Sequence, residues 1–205
     1  MGRVERPAGS VETQSGEGAL PAYILAGGAS RRFGSDKARA EVDSVPLIVR
    51  LARRVEPHVS RVVVVASREG EYADLNLHTV GDLIPGLGPL GGLLTALRDA
   101  RDAEWVLLLS CDLTELNPEW ISALLAARTV DARIVAFQSE PRQPFPALYH
   151  RDLAPLVRDA IHREQRSMQR LLQTAGTASV PLPPDWPEVP QANTREELQR
   201  YSAKQ

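Results

Sequence analysis

Short aliphatic runs alternate with helix-like patterns along the chain from about residue 21 onward. Four of these runs contain no charged residue and cover residues 23–25, 62–65, 105–109 and 134–137. Uninterrupted apolar runs predict strands that are buried on both faces, which is typical of parallel sheets. We therefore expect four parallel strands at these positions.

The segments between the strands carry apolar residues at helical spacing. Leu47, Leu51 and Val55 lie four residues apart behind Pro46, and residues 89–97 repeat this pattern behind a proline of their own. Proline in the first turn is typical of a helix start. Further helices are predicted over 118–125, 153–161 and 167–172, with a last short helix at the capping box 194–197. This alternation predicts an α/β fold with a mainly parallel central sheet, right-handed crossovers and helices on both faces.

Composition indicates the class of protein. The 205 residues are 43% hydrophobic and 24% charged, as in an ordinary globular chain without membrane spans. Residues 1–20 are rich in glycine, serine and glutamate and are predicted to be a disordered tail, with 21–205 as a single domain. The net charge of -2 gives no reason to expect nucleic acid or an anionic membrane as a partner. A single cysteine and the lack of an apolar signal segment predict a cytoplasmic location.

The loop after the first strand is a candidate site, because ligands of parallel sheets gather beyond the carboxyl ends of strands. Gly27 and Gly28 allow backbone N–H groups to approach an anion closely. Their spacing fits neither a P-loop nor a dinucleotide fold, and a plain glycine turn is the alternative. Lys37 follows in this loop and is one of only two lysines among 24 basic residues. Its compact ammonium suits a position between phosphate oxygens.

Two aspartates follow other apolar stretches. Asp112 comes soon after the run 105–109 and is suited to bind a hard cation such as Mg²⁺, with capping of the next helix as the alternative. Asp82 precedes the glycine-rich segment 86–92 and is suited to accept hydrogen bonds from a nucleobase or a ribose. Cys111 is expected to pack as a small buried residue rather than to react. Solvated surface positions are predicted for the helical arginines Arg50, Arg53 and Arg54.

The segment LAGGASRRFGSDK, from Leu25 to Lys37, resembles the signature Leu-Ala-Gly-Gly-x-Ser-x-Arg-x-Gly-x-Asp-Lys of the molybdenum cofactor guanylyltransferases. The resemblance covers roughly residues 21–200 and implies a Rossmann-like nucleotidyltransferase fold. Further pieces follow in the family's order: Pro46-Leu47, Asp82, Gly88 to Leu93, Cys111-Asp112, Phe145 to Tyr149, Arg166, and Asn193 to Leu198.

The resemblance implies transfer of GMP from GTP to the terminal phosphate of a molybdopterin-type cofactor, with release of pyrophosphate. The implied partners are GTP and molybdopterin and, beyond them, molybdoenzymes or their chaperones. Leu25, Ala26, Gly27 and Gly28 would bind the guanine and the phosphates. The other implied roles are triphosphate contact for Arg32 and Lys37, GTP binding for Asp82, Mg²⁺ binding for Asp112, and pterin binding for Asn193 and Arg166.

Three positions depart from the family's pattern, and one is Val65, which stands where some relatives place a polar residue that contacts the nucleotide. Ser44 stands where the family has glycine, and Thr114 stands where it favours proline. Other functions remain open at this point: a cytidylyltransferase for the same cofactor, a nucleotidyltransferase for a sugar phosphate, or a module that binds nucleotide or cofactor without turnover. The Ala-Gly-Gly and Gly-Pro-Leu-Gly-Gly segments favour guanylyl transfer. Because a lysine in a loop supports little core, substitution of Lys37 is expected to lower the rate more than the stability.

Overall fold

The computed structural model describes residues 20–27 and 36–202. Its strands are β1 (Pro21–Leu25), β2 (Glu41–Val42), β3 (Val45–Pro46), β4 (Arg61–Ala66), β5 (Thr79–Gly81), β6 (Trp105–Ser110), β7 (Ile134–Gln138), β8 (Ala147–His150) and β9 (Thr177–Pro181). Its helices are α1 (Leu47–Val55), α2 (Pro89–Asp99), α3 (Pro118–Ala126), α4 (Leu153–His162), α5 (Met168–Thr174) and α6 (Arg195–Ser202), which confirms the predicted helices. Within the described ranges, no helix is long and apolar enough to cross a bilayer.

Seven strands form one central sheet in the order β5-β4-β1-β6-β8-β7-β9. Neighbouring strands pair in parallel except at β8, which is antiparallel to both β6 and β7. The prediction of a mainly parallel sheet is therefore confirmed, and the four apolar runs lie in β1, β4, β6 and β7. Three strands of this sheet were not predicted: β5, β9 and the reversed strand β8.

The order of the strands reverses between β1 and β6. The chain passes from β1 through α1 to β4 on one side, and from β5 through α2 to β6 on the other side. Right-handed crossovers that run in opposite directions place α1 and α2 on opposite faces of the sheet. At such a reversal the carboxyl ends of the two central strands border a crevice, which is the usual ligand position in open α/β sheets.

The central strands are buried on both faces. Ala22, Tyr23 and Ile24 of β1 have no exposed surface, nor do Val106 to Leu109 of β6. The predicted apolar face of α2 is buried as well, through Leu90, Leu93, Leu94 and Leu97. Full burial of one such side chain contributes about 1.5–3 kcal/mol. The carboxyl ends of β1 and β6 are thus fixed by a tightly packed core.

The arginines of α1 differ in exposure. Arg53 is exposed, as predicted, but Arg50 and Arg54 are half-buried and hold the helix to other parts of the chain. Arg54 donates to the Thr114 backbone carbonyl at 3.2 Å and to the Glu115 carboxylate at 2.7 Å. The predicted solvated position is therefore wrong for these two arginines, because polar partners outside the helix lie within reach of their side chains.

The hairpin between β2 and β3 turns through two residues, Asp43 and Ser44, which have φ of 51° and 60°. Positive φ at both central residues is the conformation of a type I′ turn. Ser44 therefore adopts the left-handed backbone conformation that glycine adopts most easily. The Cβ of the serine makes this conformation unfavourable.

Replacement of Ser44 by glycine is expected to raise the free energy of unfolding by about 0.5–1 kcal/mol. The relief of left-handed strain, about 1–2 kcal/mol, exceeds the entropy that glycine loses on folding. Urea unfolding measures the change. Ser122 in the helix α3 provides the control, since Ser122→Gly is expected to destabilise. A lower midpoint for both variants would contradict the strain argument.

Candidate functional site

Two chain segments leave the sheet side by side at the reversal between β1 and β6. Leu25 pairs with Ser110 in the parallel ladder, and the Cys111 amide donates to the Leu25 carbonyl at 3.1 Å. The Ala26 amide donates to the Val65 carbonyl at 2.9 Å, which continues the pairing one residue past β1. Ala26-Gly27 and the Ser110-Cys111-Asp112 segment therefore enter the same crevice.

Lys37 and Asp112 form a buried ion pair in this crevice. The Lys37 Nζ lies 2.6 Å from the Asp112 Oδ2, and only 11% and 13% of the two side chains are exposed. Lys37 begins a single turn of 3-10 helix, whose N-terminal amide at Ala38 is capped by the Asp36 carboxylate at 3.0 Å. The structure thus brings together the lysine and the aspartate that the sequence identified separately.

The burial of Lys37 corrects the view that this lysine supports little of the fold. Lys37 is only 9% exposed, and the Asp112 carboxylate neutralises the charge of its ammonium. An ammonium in such a position holds two segments together, because removal of one partner leaves the other charge buried. Substitution of Lys37 is therefore expected to affect stability as well as rate.

A polar network on the other side of Lys37 fixes its turn. The Tyr72 hydroxyl donates to the Asp36 Oδ2 at 3.0 Å, and the guanidinium of Arg39 binds both carboxylate oxygens of Asp74 at 2.6 Å and 2.9 Å. Burial, and then the Asp36 carboxylate, raise the pKa of Tyr72 above its usual range, so the hydroxyl remains a donor. The sequence analysis missed Tyr72, because no local pattern links it to a loop 36 residues earlier.

Asn193 is the third member of the site. Its Oδ1 accepts a hydrogen bond from the Lys37 Nζ at 3.1 Å, although the two residues are 156 positions apart. Its backbone amide and that of Thr194 donate to the Glu197 Oε2 at 2.6 Å and 3.0 Å, and the Glu197 amide donates to the Thr194 hydroxyl at 3.1 Å. The predicted capping box is therefore confirmed, and it fixes the backbone from which Asn193 reaches Lys37.

Residues 189–193, here called the C-terminal arm, bring Asn193 to the site. The arm pairs with the segment that follows β6: Leu113 forms an antiparallel bridge with Gln191, and the Ala192 amide donates to the Asp112 carbonyl at 3.0 Å. Thr114 adds two bonds, from its amide to the Pro190 carbonyl at 3.1 Å and from its hydroxyl to the Val189 carbonyl at 2.7 Å. A proline at this position could not donate the first of these bonds.

Replacement of Thr114 by valine is expected to lower the free energy of unfolding by about 1–2 kcal/mol. The hydroxyl of this buried residue is the donor to the partly buried Val189 carbonyl, and loss of a hydrogen bond that leaves its acceptor unpaired has an effect of this size. Thermal unfolding measures the loss. Thr174→Val is the control, because the Thr174 hydroxyl bonds within its own helix at an exposed position. Equal effects of the two substitutions would show that the arm is not held in this way.

The second carboxylate oxygen of Asp112 is buried and has no hydrogen-bond partner among the described residues. A buried carboxylate oxygen without a donor is an available ligand for a cation. Residues 20–27 and 36–202 contain no group of three His, Cys, Asp or Glu side chains that could hold a metal ion. A cation at Asp112 would therefore take its other ligands from outside these side chains, as Mg²⁺ takes them from water and phosphate oxygens.

Asp82 lies at the end of β5 and is tied to α2. Its Oδ1 accepts hydrogen bonds from the Thr95 hydroxyl at 2.9 Å and from the Ile84 amide at 3.2 Å. A Cβ on Gly92 would lie 2.8 Å from the Leu25 Cδ2, so this glycine allows α2 to pack against the end of β1. The aspartate is therefore placed beside the start of α2, with one oxygen used for local structure.

The other predicted site residues have different outcomes. Gly28 and Arg32 lie outside the described residues. Ala26 and Gly27 follow β1, and a Cβ on Gly27 would lie 3.7 Å from the Ala66 carbonyl carbon, an ordinary contact, so packing does not require this glycine. Arg166 is exposed between α4 and α5.

Cys111 packs against the core, as predicted. Burial, and then the neighbouring Asp112 carboxylate, raise the pKa of the Cys111 thiol to about 12. The thiol therefore keeps its proton at neutral pH, and a thiolate nucleophile is absent from this position. Among the described residues, Lys37, Asp112 and Asn193 lie together here and present polar groups to a bound molecule.

Comparison with known proteins shows what this chain is similar to. Residues 22–180 match the profile of the MobA-like NTP transferase domain. The molybdenum cofactor guanylyltransferase of Serratia proteamaculans is 30% identical over 185 residues, which cover 89% of this chain and 93% of that protein. That of Shewanella baltica is 35% identical over 147 residues, covering 69% and 72%. The molybdopterin-guanine dinucleotide biosynthesis protein A of Archaeoglobus fulgidus shares the fold, with a TM-score of 0.78 at 20% identity over 90% of this chain and 98% of that one.

Proposed function

We propose that this chain, which belongs to the MobA-like NTP transferase domain family, transfers GMP from GTP to the terminal phosphate of molybdopterin. The products would be pyrophosphate and a guanine dinucleotide form of the cofactor. The observation that carries the proposal is the nearly buried ion pair of Lys37 and Asp112 beside the end of β1, with Asn193 bonded to its ammonium. The names of the relatives, molybdenum cofactor guanylyltransferases, supply the substrates.

The reaction needs charge compensation more than proton transfer. An oxygen of the acceptor phosphate attacks the α-phosphorus of GTP, and the bond from that phosphorus to the β-phosphate oxygen breaks as pyrophosphate leaves. The nucleophile is already an anion, so no histidine or serine base is required. The barrier lies in bringing two anions together and in dispersing the charge that develops. Cations and N–H groups at the crevice are suited to this task.

Lys37 would supply a positive charge from the protein, in addition to that of the metal, near the phosphates. Its ammonium is buried beside the carboxyl ends of β1 and β6, where water screens its charge weakly. Asn193 would orient the ammonium by accepting one of its hydrogen bonds. Arg32, by its place in the same signature, would assist at the triphosphate.

Asp112 would hold Mg²⁺, because its buried Oδ1 lacks a donor among the residues that the structure describes. A bound Mg²⁺ supplies Lewis-acid neutralisation of phosphate charge. The backbone after β1, from Leu25 through Gly28, would bind the guanine and the phosphates. Asp82 would accept hydrogen bonds from the nucleoside, and Arg166 would lie at the pterin-binding end, to which the family also assigns Asn193.

The experiment measures pyrophosphate release and identifies the nucleotide product. GTP and CTP are each supplied with Mg²⁺ and with molybdopterin or a sugar phosphate as acceptor. We expect release only with GTP and molybdopterin together, and a product that contains guanine. Preference for CTP would indicate a cytidylyltransferase, and transfer to the sugar phosphate would indicate a different acceptor. Tight GTP binding without release would identify a binding module, and each of these three results would overturn the proposal.

A further inference from the structure

We propose that the Lys37 ammonium prevents divalent cations from binding to Asp112 as long as no nucleotide is bound. The carboxylate then accepts a metal only after nucleotide phosphates have drawn the ammonium away. The inference rests on the proposed function, since a metal at Asp112 is part of it. It adds an order of binding to that function, with nucleotide before or together with metal. It also gives Lys37 a second task besides contact with the triphosphate.

The first argument is the geometry of the pair. The Lys37 ammonium donates a hydrogen bond to the Asp112 Oδ2 at 2.6 Å. A second hydrogen bond, to the Asn193 Oδ1 at 3.1 Å, holds it in this position. Both side chains are nearly closed to solvent. A divalent cation on the other oxygen of this carboxylate would meet the ammonium at close range. Repulsion between the two cations is strong in such a place, because little water screens it.

The second argument is the charge of the site. Asp112 contributes one negative charge, Lys37 cancels it, and Asn193 is neutral. In the part of the chain that the structure covers, no cluster of acidic, histidine or cysteine side chains adds further ligands at this position. The described residues therefore offer a divalent cation one carboxylate that is already neutralised. A single carboxylate can hold a hydrated divalent cation, but a neutralised one attracts it weakly.

The third argument is that a triphosphate changes both conditions at once. Its oxygens supply the ligands that the protein lacks, and their negative charge competes with Asp112 for the ammonium. A lysine suits this exchange, because its charge sits at the end of a flexible four-carbon stem. Arginine would hold the carboxylate through a rigid fork and would leave it less readily. The choice of a rare lysine in an arginine-rich chain has this explanation.

The test is a titration of the nucleotide-free full chain with Mn²⁺, followed by electron paramagnetic resonance of the free ion. The chains compared are the unaltered protein, Lys37→Met, and Lys37→Met combined with Asp112→Asn. We expect weak binding to the unaltered protein and binding at least about tenfold tighter to Lys37→Met, since the repelling charge is gone. Addition of Asp112→Asn should abolish the gain.

Arg98→Met is the matched control. It removes an exposed cation in the last turn of α2, beside Asp99 and the start of β4, at the end of the sheet opposite Asp112, so Mn²⁺ affinity should stay as in the unaltered protein. Lys37→Gln serves if Lys37→Met does not fold, because the amide can still donate to Asp112 without a charge. As an independent readout, Mn²⁺ should raise the melting temperature of the Lys37 variant that folds but not that of the unaltered protein.

Equal Mn²⁺ affinity with and without Lys37 would overturn the inference, as would a gain that survives Asp112→Asn. Neither measurement involves GTP or an acceptor. Loss of GMP transfer with the expected titration would therefore refute the proposed function alone. Intact GMP transfer, together with equal Mn²⁺ affinity in the unaltered protein and in Lys37→Met, would refute only the proposal that Lys37 keeps cations from Asp112.

Discussion

Replacement of Asp112 by asparagine is expected to slow GMP transfer about 100- to 1000-fold, the usual loss when one group that stabilises developing charge is removed. Asparagine keeps the size of the side chain, and its amide oxygen can still accept the hydrogen bond from the Lys37 Nζ. It loses the negative charge that would hold a cation. Pyrophosphate release under saturating GTP and molybdopterin measures the effect.

The control for this variant is Asp102→Asn, which neutralises an exposed aspartate in the turn after α2. Its rate should equal that of the unaltered protein. Circular dichroism and the melting temperature show whether the Asp112 variant is folded. A folded Asp112→Asn protein with full activity would remove Asp112 from the mechanism.

Replacement of Lys37 by methionine is expected to lower the free energy of unfolding by about 3 kcal/mol. The substitution leaves the Asp112 carboxylate buried without its counter-charge, and loss of one partner of a buried pair has an effect of this size. Urea unfolding measures the loss. The double variant Lys37→Met with Asp112→Asn should recover most of it, because no unpaired charge remains.

Arg98→Met again provides a matched comparison for stability. Arg98 is exposed, and substitutions at exposed positions usually change stability by no more than about 0.5 kcal/mol. If Lys37→Met were no less stable than Arg98→Met, the ion pair in the crevice would not support the fold. Because Lys37→Met is expected to be less stable, its rate of GMP transfer should be measured at a temperature where the variant is folded.

The central strands could be predicted because their burial is visible in the sequence. β1, β4, β6 and β7 contain uninterrupted apolar runs, which arise only where both faces of a strand are covered. β5 has three residues, Thr79–Gly81, too few to form a pattern. β9 begins Thr-Ala-Ser and lies at the edge of the sheet, where one side remains open.

The direction of β8 could not be predicted from its residues. Ala147–His150 would fit a parallel or an antiparallel neighbour equally well, and its reversal depends on how the chain returns from β7. Strand direction is a property of connections between elements rather than of local pattern. The mainly parallel sheet was predictable, whereas its single reversed strand was not.

The site shows the same division. Lys37 and Asp112 could be assigned to one edge, because each follows an apolar strand and the carboxyl ends of such strands meet there. Their direct contact could not be predicted, since it depends on the Asp36 cap and on the Tyr72 hydroxyl. Asn193 reaches them through an arm held by backbone bonds to Thr114, which leave no signature in the sequence.

The distant origin of Asn193 has a consequence for the time at which the protein becomes functional during synthesis. The residue is made 156 positions after Lys37, and the arm that carries it pairs with a segment completed long before. A nascent chain can form β1, β4 and β6 while it is still attached to the ribosome, but its lysine lacks the amide that orients it until the arm has emerged. The complete group of Lys37, Asp112 and Asn193 therefore forms only after residue 193 has been made and the arm has folded.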